Sequence, residues 1–475
     1  MRRIALSFLL LFILNDAARA DLMGDVRAIT TNPQLGNATA AVSIIKLGST
    51  RADDQVVIDL QSHSPMIPAS NLKVLTTSLA LDRLGADFRF RTLLVSRDDE
   101  LAIIGDGDPT LGDAEHLREH GWDSTTLFEQ WAERLKELNI DRAKILRVDD
   151  SIFETLTLCP SWPADQIGLP YVAEVAGINL NANCLDVYVG LKGGATIASF
   201  RPASAWIDMK NATQIGSEQS IWLDRKPTAN AITVRGTVTG ANSAPYRVTV
   251  HDPSMFAGHA FNSVLRRSSI EIEKVERDRT VRASMLKQQG EWSILESFET
   301  DIQSVVRIAN KESNNLYAEA LFKRASVSSG VEGSWARGAD VMKAYLTELG
   351  VDASPIALDD GCGLSRNNKV TASAITSVLA HRHHDLAGAE QFKQSLAIAG
   401  IDGTLDKRFE PGLKGRVFAK TGYIRGVSCL SGYLQTKSGD WYAFSLLFND
   451  LREDKIRPAK RAQEQIVTAL DRHSN

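Results

Sequence analysis

Cysteine is scarce in this sequence. Among 475 residues there are four, Cys159, Cys184, Cys362 and Cys429. None forms a C-x-x-C pair, which argues against a zinc site. Long apolar runs are missing too. Past Leu14 no stretch approaches the roughly 18 apolar residues that a membrane-spanning helix needs. Basic charge is not in excess, with 54 Lys and Arg against 58 Asp and Glu and a formal net charge of −4. That balance argues against a general nucleic-acid binder. No internal repeat is visible. What remains is the composition of a large folded protein, long enough for two to four domains.

The one apolar run stands at the start. Met1-Arg2-Arg3 precedes Ile4 to Leu14, and Ala18-Arg19-Ala20 follows. This is the charged, apolar and A-x-A order of a signal peptide, and the run is too short to span a bilayer. The alternative is an uncleaved anchor. Cleavage is expected after Ala20, giving a periplasmic or equivalent protein that begins at Asp21. Loss of three arginines and Asp16 takes the net charge from −4 to −6. An exported chain meets an oxidising compartment. Cys159 and Cys184 close a loop of about 25 residues, a bridge worth roughly 3 kcal/mol, and that bridge is expected. Cys362 and Cys429 either pair or stay reduced.

Ala40–Leu47 and Gln55–Leu60 read as strands, followed by a helix from Ser70 to about Gly85. Phe88–Val95 and Leu101–Ile104 are strands again. The cluster Gly105-Asp106-Gly107-Asp108-Pro109 reads as a turn. Its alternating aspartates invite a calcium reading, but the terminal glutamate of an EF-hand loop is missing. From Cys184 to His251 short Val-, Thr- and Ile-rich strands alternate with turns. After about residue 285 helices dominate, before a strand at Trp441–Phe448 and a closing helix at Ile456–Leu470. Helices between flanking strands suggest an α/β sandwich built from both ends of the chain, with the middle inserted. His381-Arg382-His383-His384 ends a helix, where capping cations are favoured, and its nearest acid, Asp385, is adjacent in sequence. No metal or cofactor site is expected.

The chemistry starts at Pro68-Ala69-Ser70-Asn71-Leu72-Lys73. On a helix, residues i and i+3 share a face, so the Lys73 amine can reach the Ser70 hydroxyl. A serine at a helix N-terminus also has unpaired backbone N–H groups beside it, and these can bind an oxyanion. Acyl transfer needs this set: a nucleophile, a base and oxyanion donors. Alone, Ser-x-x-Lys is equally a helix start with an exposed lysine. Downstream, Ser313-Asn314-Asn315 opens a helix, where Ser and Asn also serve as caps. Further on, Lys420-Thr421-Gly422 reads as a strand that carries its side chains into a cleft.

Ser-x-x-Lys, Ser-x-Asn and Lys-Thr-Gly in this order is the signature of penicillin-recognising enzymes. More closely, the chain resembles the class C low-molecular-mass penicillin-binding proteins, the D-alanyl-D-alanine carboxypeptidase/endopeptidases. The resemblance rests further on Gly107-Asp108-Pro109-Thr110-Leu111, Asp360-Gly361-Cys362-Gly363-Leu364-Ser365-Arg366, Ala399-Gly400-Ile401-Asp402-Gly403-Thr404-Leu405 and Gly426 to Tyr433. It implies the α/β sandwich of serine transpeptidases and beta-lactamases with a large, mostly β inserted region. Residues 21–95 and 285–475 would form the catalytic domain, and 96–284 a substrate-recognition insertion of two subdomains. It implies Ser70 as nucleophile, Lys73 as base, and Ser313, Asn315 and Lys420 around the leaving group. Thr421, Gly422 and Tyr423 would line the substrate, with the Ser70 and Tyr423 N–H groups as the oxyanion hole. Asp165, Tyr171 and Arg366 resemble positions that meet a diaminopimelate side chain. The implied partners are peptidoglycan peptides ending in D-Ala-D-Ala or cross-linked, and beta-lactams, with no nucleic acid and no membrane span. Two departures stand out: Cys362 replaces a usual serine, and Tyr423 a common threonine.

Two other readings compete. A class A beta-lactamase would carry a deacylating glutamate in a short loop that Glu174-Val175-Ala176-Gly177-Ile178-Asn179 does not reproduce. An inactive peptidoglycan-binding or morphogenetic module would not need all three motifs.

Overall fold

The computed structural model describes residues 21–117, 121–287 and 292–474. The expected signal peptide, residues 1–20, lies outside the described residues. None of the described helices is long and apolar enough to cross a membrane. The fold is mixed α/β and divides into two compact units. Among the described residues, one holds 21–86, Val306–Asn314 and 338–474. The other holds Asp87–Val305 and Asn315–Arg337.

The first unit is built on a six-stranded antiparallel sheet. Its order is Ala397–Ile398, Val417–Ile424, Val427–Gln435, Trp441–Asn449, Thr39–Leu47 and Gln55–Leu60. Thr39–Leu47 and Trp441–Asn449 pair along their whole lengths, from Thr39 opposite Asn449 to Leu47 opposite Trp441. Val427–Gln435 and Trp441–Asn449 are buried almost without alternation, because both faces of a central strand are covered. On one face lies the helix Ile456–His473, whose Ile456, Ala459, Ile466, Val467 and Leu470 recur at helical spacing and join Leu430, Phe444 and Leu446 in one core. On the other face Tyr433 donates to the Leu379 carbonyl (2.7 Å) and Ser43 shares a hydrogen bond with Thr376 (2.8 Å), which ties in the helix Ala372–His383. The helix Leu72–Leu84 is buried at every residue from Leu72 to Leu81.

The second unit has three sheets. The largest runs Glu271–Arg277, Arg142–Asp149, Glu100–Ile104, Arg89–Arg97 and Ser293–Asp301. The strand Arg89–Arg97 therefore pairs inside this unit, with Glu100–Ile104 and Ser293–Asp301. Helices Thr126–Glu137 and Pro253–Arg267 bring Phe128, Trp131 and Phe261 into a core with Leu146 and Val148. The ring centroids of Phe128 and Phe261 are 4.9 Å apart, within the range of favourable aromatic pairs. Two three-stranded sheets complete the unit.

The expected Cys159–Cys184 bridge is not formed, and no cysteine here is in a disulfide. Cys159 Sγ instead lies 3.4 Å from the Ser161 hydroxyl. Cys184 opens a central strand, and burial pushes its thiol up to about 12. The Gly105–Leu111 turn is held from inside. Asp108, fully buried, accepts from the Thr110 amide and hydroxyl at 2.8 Å each, and Asp106 pairs with Arg324. The histidines at the end of Ala372–His383 pair with acids from elsewhere in the first unit, His384 with Asp54 and His381 with Asp82, both at 3.0 Å.

Candidate active site

Ala69–Asn71 form one tight turn that runs directly into the helix Leu72–Leu84. Ala69 has φ +45°, a left-handed conformation that is costly for a residue with a Cβ and persists only where the surroundings impose it. Here the imposing neighbour is Gly363. A Cβ on that glycine would stand 1.8 Å from the Ala69 carbonyl oxygen. Gly422 plays the same part on the other side, where a Cβ would meet Asn71 Oδ1 at 2.8 Å and the Pro68 oxygen at 2.9 Å. The bulk that this glycine removes thus makes room for the Ser70 turn itself. One helical turn on, Lys73 is fully buried, with its Nζ 3.1 Å from Ser70 Oγ and 2.9 Å from the Cys362 carbonyl oxygen.

A second lysine–serine pair stands in the same unit. Ser313 follows the helix Ile302–Lys311 with φ +58°, and Lys311 is pinned by an ion pair to Asp402. Lys420, on the strand Val417–Ile424, donates to Ser313 Oγ and to the Thr421 carbonyl, each at 2.8 Å. Its amine is held well below the usual lysine range. Burial is the main cause and the positive charge of Lys73 adds to it, while Glu312 opposes both. The two lysines therefore act on each other, and the Ser70–Lys73 and Ser313–Lys420 pairs form one electrostatic system. A lysine whose charged form is disfavoured gives up its proton more readily than a solvated one.

The remaining expected residues are spread over both units. In the first, the Thr421 hydroxyl donates to Thr404 Oγ1 (2.9 Å), Tyr423 is 49 % exposed with its hydroxyl 3.3 Å from Glu453, and Arg366 donates to the Arg425 carbonyl (2.6 Å). In the second, Asp165 is exposed on the short turn Ala164–Gln166. Tyr171 donates to Gln166 Oε1 (2.7 Å), and its own carbonyl accepts from the Asn315 side chain (2.8 Å). Asn315 thus joins Tyr171, and Asp165 lies near enough to raise the Tyr171 phenol, after burial.

Sequence reasoning passed over the carboxylates that hold the site. Asp360 is fully buried and accepts from the Gly363 and Ser365 amides and the Asn368 side chain. The Asp-Gly and Gly-rich spelling announces a turn there, but it does not say which helix the turn braces. Asn71 was likewise overlooked. It donates to Ser431 Oγ at 2.6 Å and links the Ser70 turn to the sheet.

Residues 22–472 match the D-Ala-D-Ala carboxypeptidase 3 (S13) family. The chain belongs to that family. It is an S13 carboxypeptidase, and its relatives agree. It is 28% identical over 460 residues to the D-alanyl-D-alanine carboxypeptidase of Actinomadura sp. (strain R39), covering 91% of this chain and 82% of that one. To the D-alanyl-D-alanine carboxypeptidase DacB of Haemophilus influenzae it is 24% identical over 417 residues, 83% of each. The crystal structure of penicillin binding protein 4 (dacB) from Haemophilus influenzae superposes with a TM-score of 0.76 at 22% identity, over 94% of this chain and 99% of that one. Bd3459, a predatory peptidoglycan endopeptidase from Bdellovibrio bacteriovorus, reaches 0.51 at 18% identity, over 91% and 92%. These two structural likenesses concern the fold of the S13 chain.

Proposed function

We propose that this S13 enzyme works through an acyl-enzyme on Ser70. Lys73, as a neutral amine, takes the Ser70 proton while Oγ attacks the carbonyl of the D-alanyl-D-alanine bond. The Ser70 and Tyr423 amides stabilise the oxyanion. Ser313 then passes a proton to the departing D-alanine nitrogen and recovers one from the Lys73 ammonium, with Lys420 tuning that relay, and water releases the acyl group. The observation that carries this reading is the pair of lysine–hydroxyl contacts, 3.1 Å at Ser70 and 2.8 Å at Ser313, with both lysines buried.

The same machinery accepts a cross-linked peptide in place of a free terminal dipeptide, which would make the enzyme an endopeptidase as well. A beta-lactam is attacked in the same way and leaves slowly. A beta-lactam complex has been solved for the Haemophilus influenzae protein, whose fold this chain shares. Residues 21–95 and 285–475 carry the chemistry, and 96–284 supplies recognition. Asp165, Tyr171 and Arg366 are assigned to the peptide's diaminopimelate side chain. Such a zwitterion suits a carboxylate and a guanidinium. The enzyme acts in the periplasm after cleavage behind Ala20. A penicillin-labelling gel of wild type beside Ser70→Ala tests the core of this. Stable label on wild type alone is expected; rapid loss of label would make it a beta-lactamase, and no label would make it a binding module.

A further inference from the structure

Lys73 can accept the Ser70 proton only if its lone pair points at Ser70. A neutral amine has two N–H bonds and one lone pair, and nothing in the lysine side chain itself sets their order about Nζ. The Cys362 carbonyl does. A carbonyl oxygen can only accept, so at 2.9 Å it takes one of the N–H bonds and limits where the lone pair can turn. When the proton moves from Ser70 Oγ to Nζ, as the Oγ–acyl bond forms, the same oxygen stabilises the new ammonium. A histidine base is commonly oriented by a third group through its second nitrogen. Lysine has no second nitrogen, so the third group must touch Nζ directly.

A backbone carbonyl is useful in this role only if it is fixed. Three contacts fix this one to the Ser70 helix. The Gly361 carbonyl accepts from the Thr76 hydroxyl at 2.6 Å, the Cys362 carbonyl accepts from Lys73, and Gly363 packs against the Ala69 carbonyl so closely that no side chain would fit. The loop itself is held from behind by Asp360. Its Oδ1 accepts from the Gly363 amide (2.8 Å) and Asn368 Nδ2 (2.7 Å), and its Oδ2 accepts from the Ser365 amide (2.7 Å). A fully buried carboxylate with three donors is a stiff brace, because each donor it lost would leave a buried polar group unsatisfied.

We propose that Asp360 is a positioning residue for the base: it holds the Cys362 carbonyl where that oxygen turns the Lys73 lone pair toward Ser70. This rests on the Ser70–Lys73 reading above. Asp360 and the main chain of Cys362 are then parts of the general-base machinery that do not touch the substrate.

The test measures benzylpenicillin acylation across about pH 5 to 9, per active site titrated with a fluorescent penicillin, with Ser70→Ala as the unlabelled control. Asp360→Asn keeps the shape but turns one acceptor into a donor facing donors. Its plateau rate is expected to fall about tenfold to a hundredfold, since general-base catalysis contributes roughly 10²–10⁴ in all. The acidic limb is expected to move to lower pH, because the ammonium has lost its partner. A wild-type plateau and limb would overturn the proposal. So would a fall in Tm and in titratable sites while the surviving sites keep the wild-type pH profile, for that is what a purely structural brace would do. If Asp360→Asn does not fold, Thr76→Val releases the neighbouring Gly361 anchor and should shift the limb in the same direction by less. An unmoved limb there would also overturn the proposal. Failure of wild type itself to take label would instead remove the Ser70–Lys73 reading.

Discussion

Lys420 of the first unit and Lys323 of the second are both buried, and the two are treated in opposite ways. In the first unit Lys420 is given a hydroxyl and a carbonyl as its direct partners, Ser313 and Thr421, and another lysine's charge acts on it. In the second, Lys323 is given a carboxylate, Glu154 at 3.1 Å, the Leu156 carbonyl at 2.9 Å and the face of Trp335 with its ring centre 3.3 Å away. Burial lowers both amines. Lys323 stops at about 8 because Glu154 supports its charge, whereas Lys420 falls well below the ordinary lysine range. Buried against neutral acceptors, a lysine is prepared to handle protons. Buried against an acid and an indole, it is prepared to stay charged and hold loops together. On the proposed mechanism, burial alone is therefore a poor marker of catalysis, and the partner is the better one.

This contrast can be broken from either side. The largest effect is expected at the nucleophile: Ser70→Ala should abolish both beta-lactam labelling and D-alanine release, as gel labelling and amino-acid analysis would show. Next comes Lys73→Ala. Acylation by benzylpenicillin should fall about 10²–10⁴-fold, the usual worth of a general base, with little change in Tm. On the other side of the comparison, Lys323→Met should strand the Glu154 carboxylate. Only the lysine of this pair is fully buried, and losing such a charged hydrogen bond costs about 1.5–3 kcal/mol, to be read from urea unfolding, while acylation per folded molecule stays as it was. If acylation fell and stability did not, Lys323 would belong with the proton-handling lysines and the contrast would dissolve.

Two smaller effects sharpen it. Asp165→Ala should lower kcat/KM for a diaminopimelate muropeptide about tenfold and leave benzylpenicillin acylation nearly intact, since binding far from the reacting bond acts only on substrates that carry it. Equal losses would place Asp165 in the fold or the catalytic centre. The smallest concerns a charge network of the second unit. Glu100 accepts from Arg147 (2.6 and 2.9 Å) and Arg97 (2.9 Å), and the Arg147 hydrogen bond, ahead of the others, lowers it from 4.5 to about 2. The folded value lies below the unfolded one, so this stabilisation is complete above pH 4.5 and is lost as pH falls toward 2. Solvent screening keeps it to about 1 kcal/mol. Thermal melts of Glu100→Gln should therefore lose part of the wild type's slope between those two pH values.

Much of this was readable beforehand, for physical reasons. The helix after Ser70 carries Leu72, Val74, Leu75, Leu79, Ala80 and Leu81 in a stretch without proline, glycine or acid, and Thr39–Leu47 and Trp441–Asn449 are rich in β-branched and aromatic residues. The strand Asp208–Ile215 escaped because Asp-Met-Lys-Asn-Ala-Thr-Gln-Ile has neither alternation nor a long apolar stretch. Its place is set by a parallel partner, Ala231–Val238, that no local pattern announces. Ser293–Asp301 escaped likewise, since it is mostly polar or half-buried and fixed by Arg89–Arg97 across some two hundred residues. The lysine–serine contacts were legible at Ser70, where both groups sit on one helix. At Ser313 and Lys420 they rested on resemblance, because 107 residues separate that pair. The missing Cys159–Cys184 bridge marks the limit of counting, since spacing says that a loop can close, not that two thiols point at each other.

The pairing of Thr39–Leu47 with Trp441–Asn449 has a consequence in time. During synthesis Ser70 and Lys73 exist long before the strand that completes their sheet. Until Trp441–Asn449 arrives, Thr39–Leu47 has no partner on that side, and the strand that carries Lys420 is cut off from it. A chain that stops before residue 441 therefore holds Ser70 and Lys73 without the strand that joins the two parts of their sheet. Assembly of the sheet is thus the step that brings the two ends of the chain to one place.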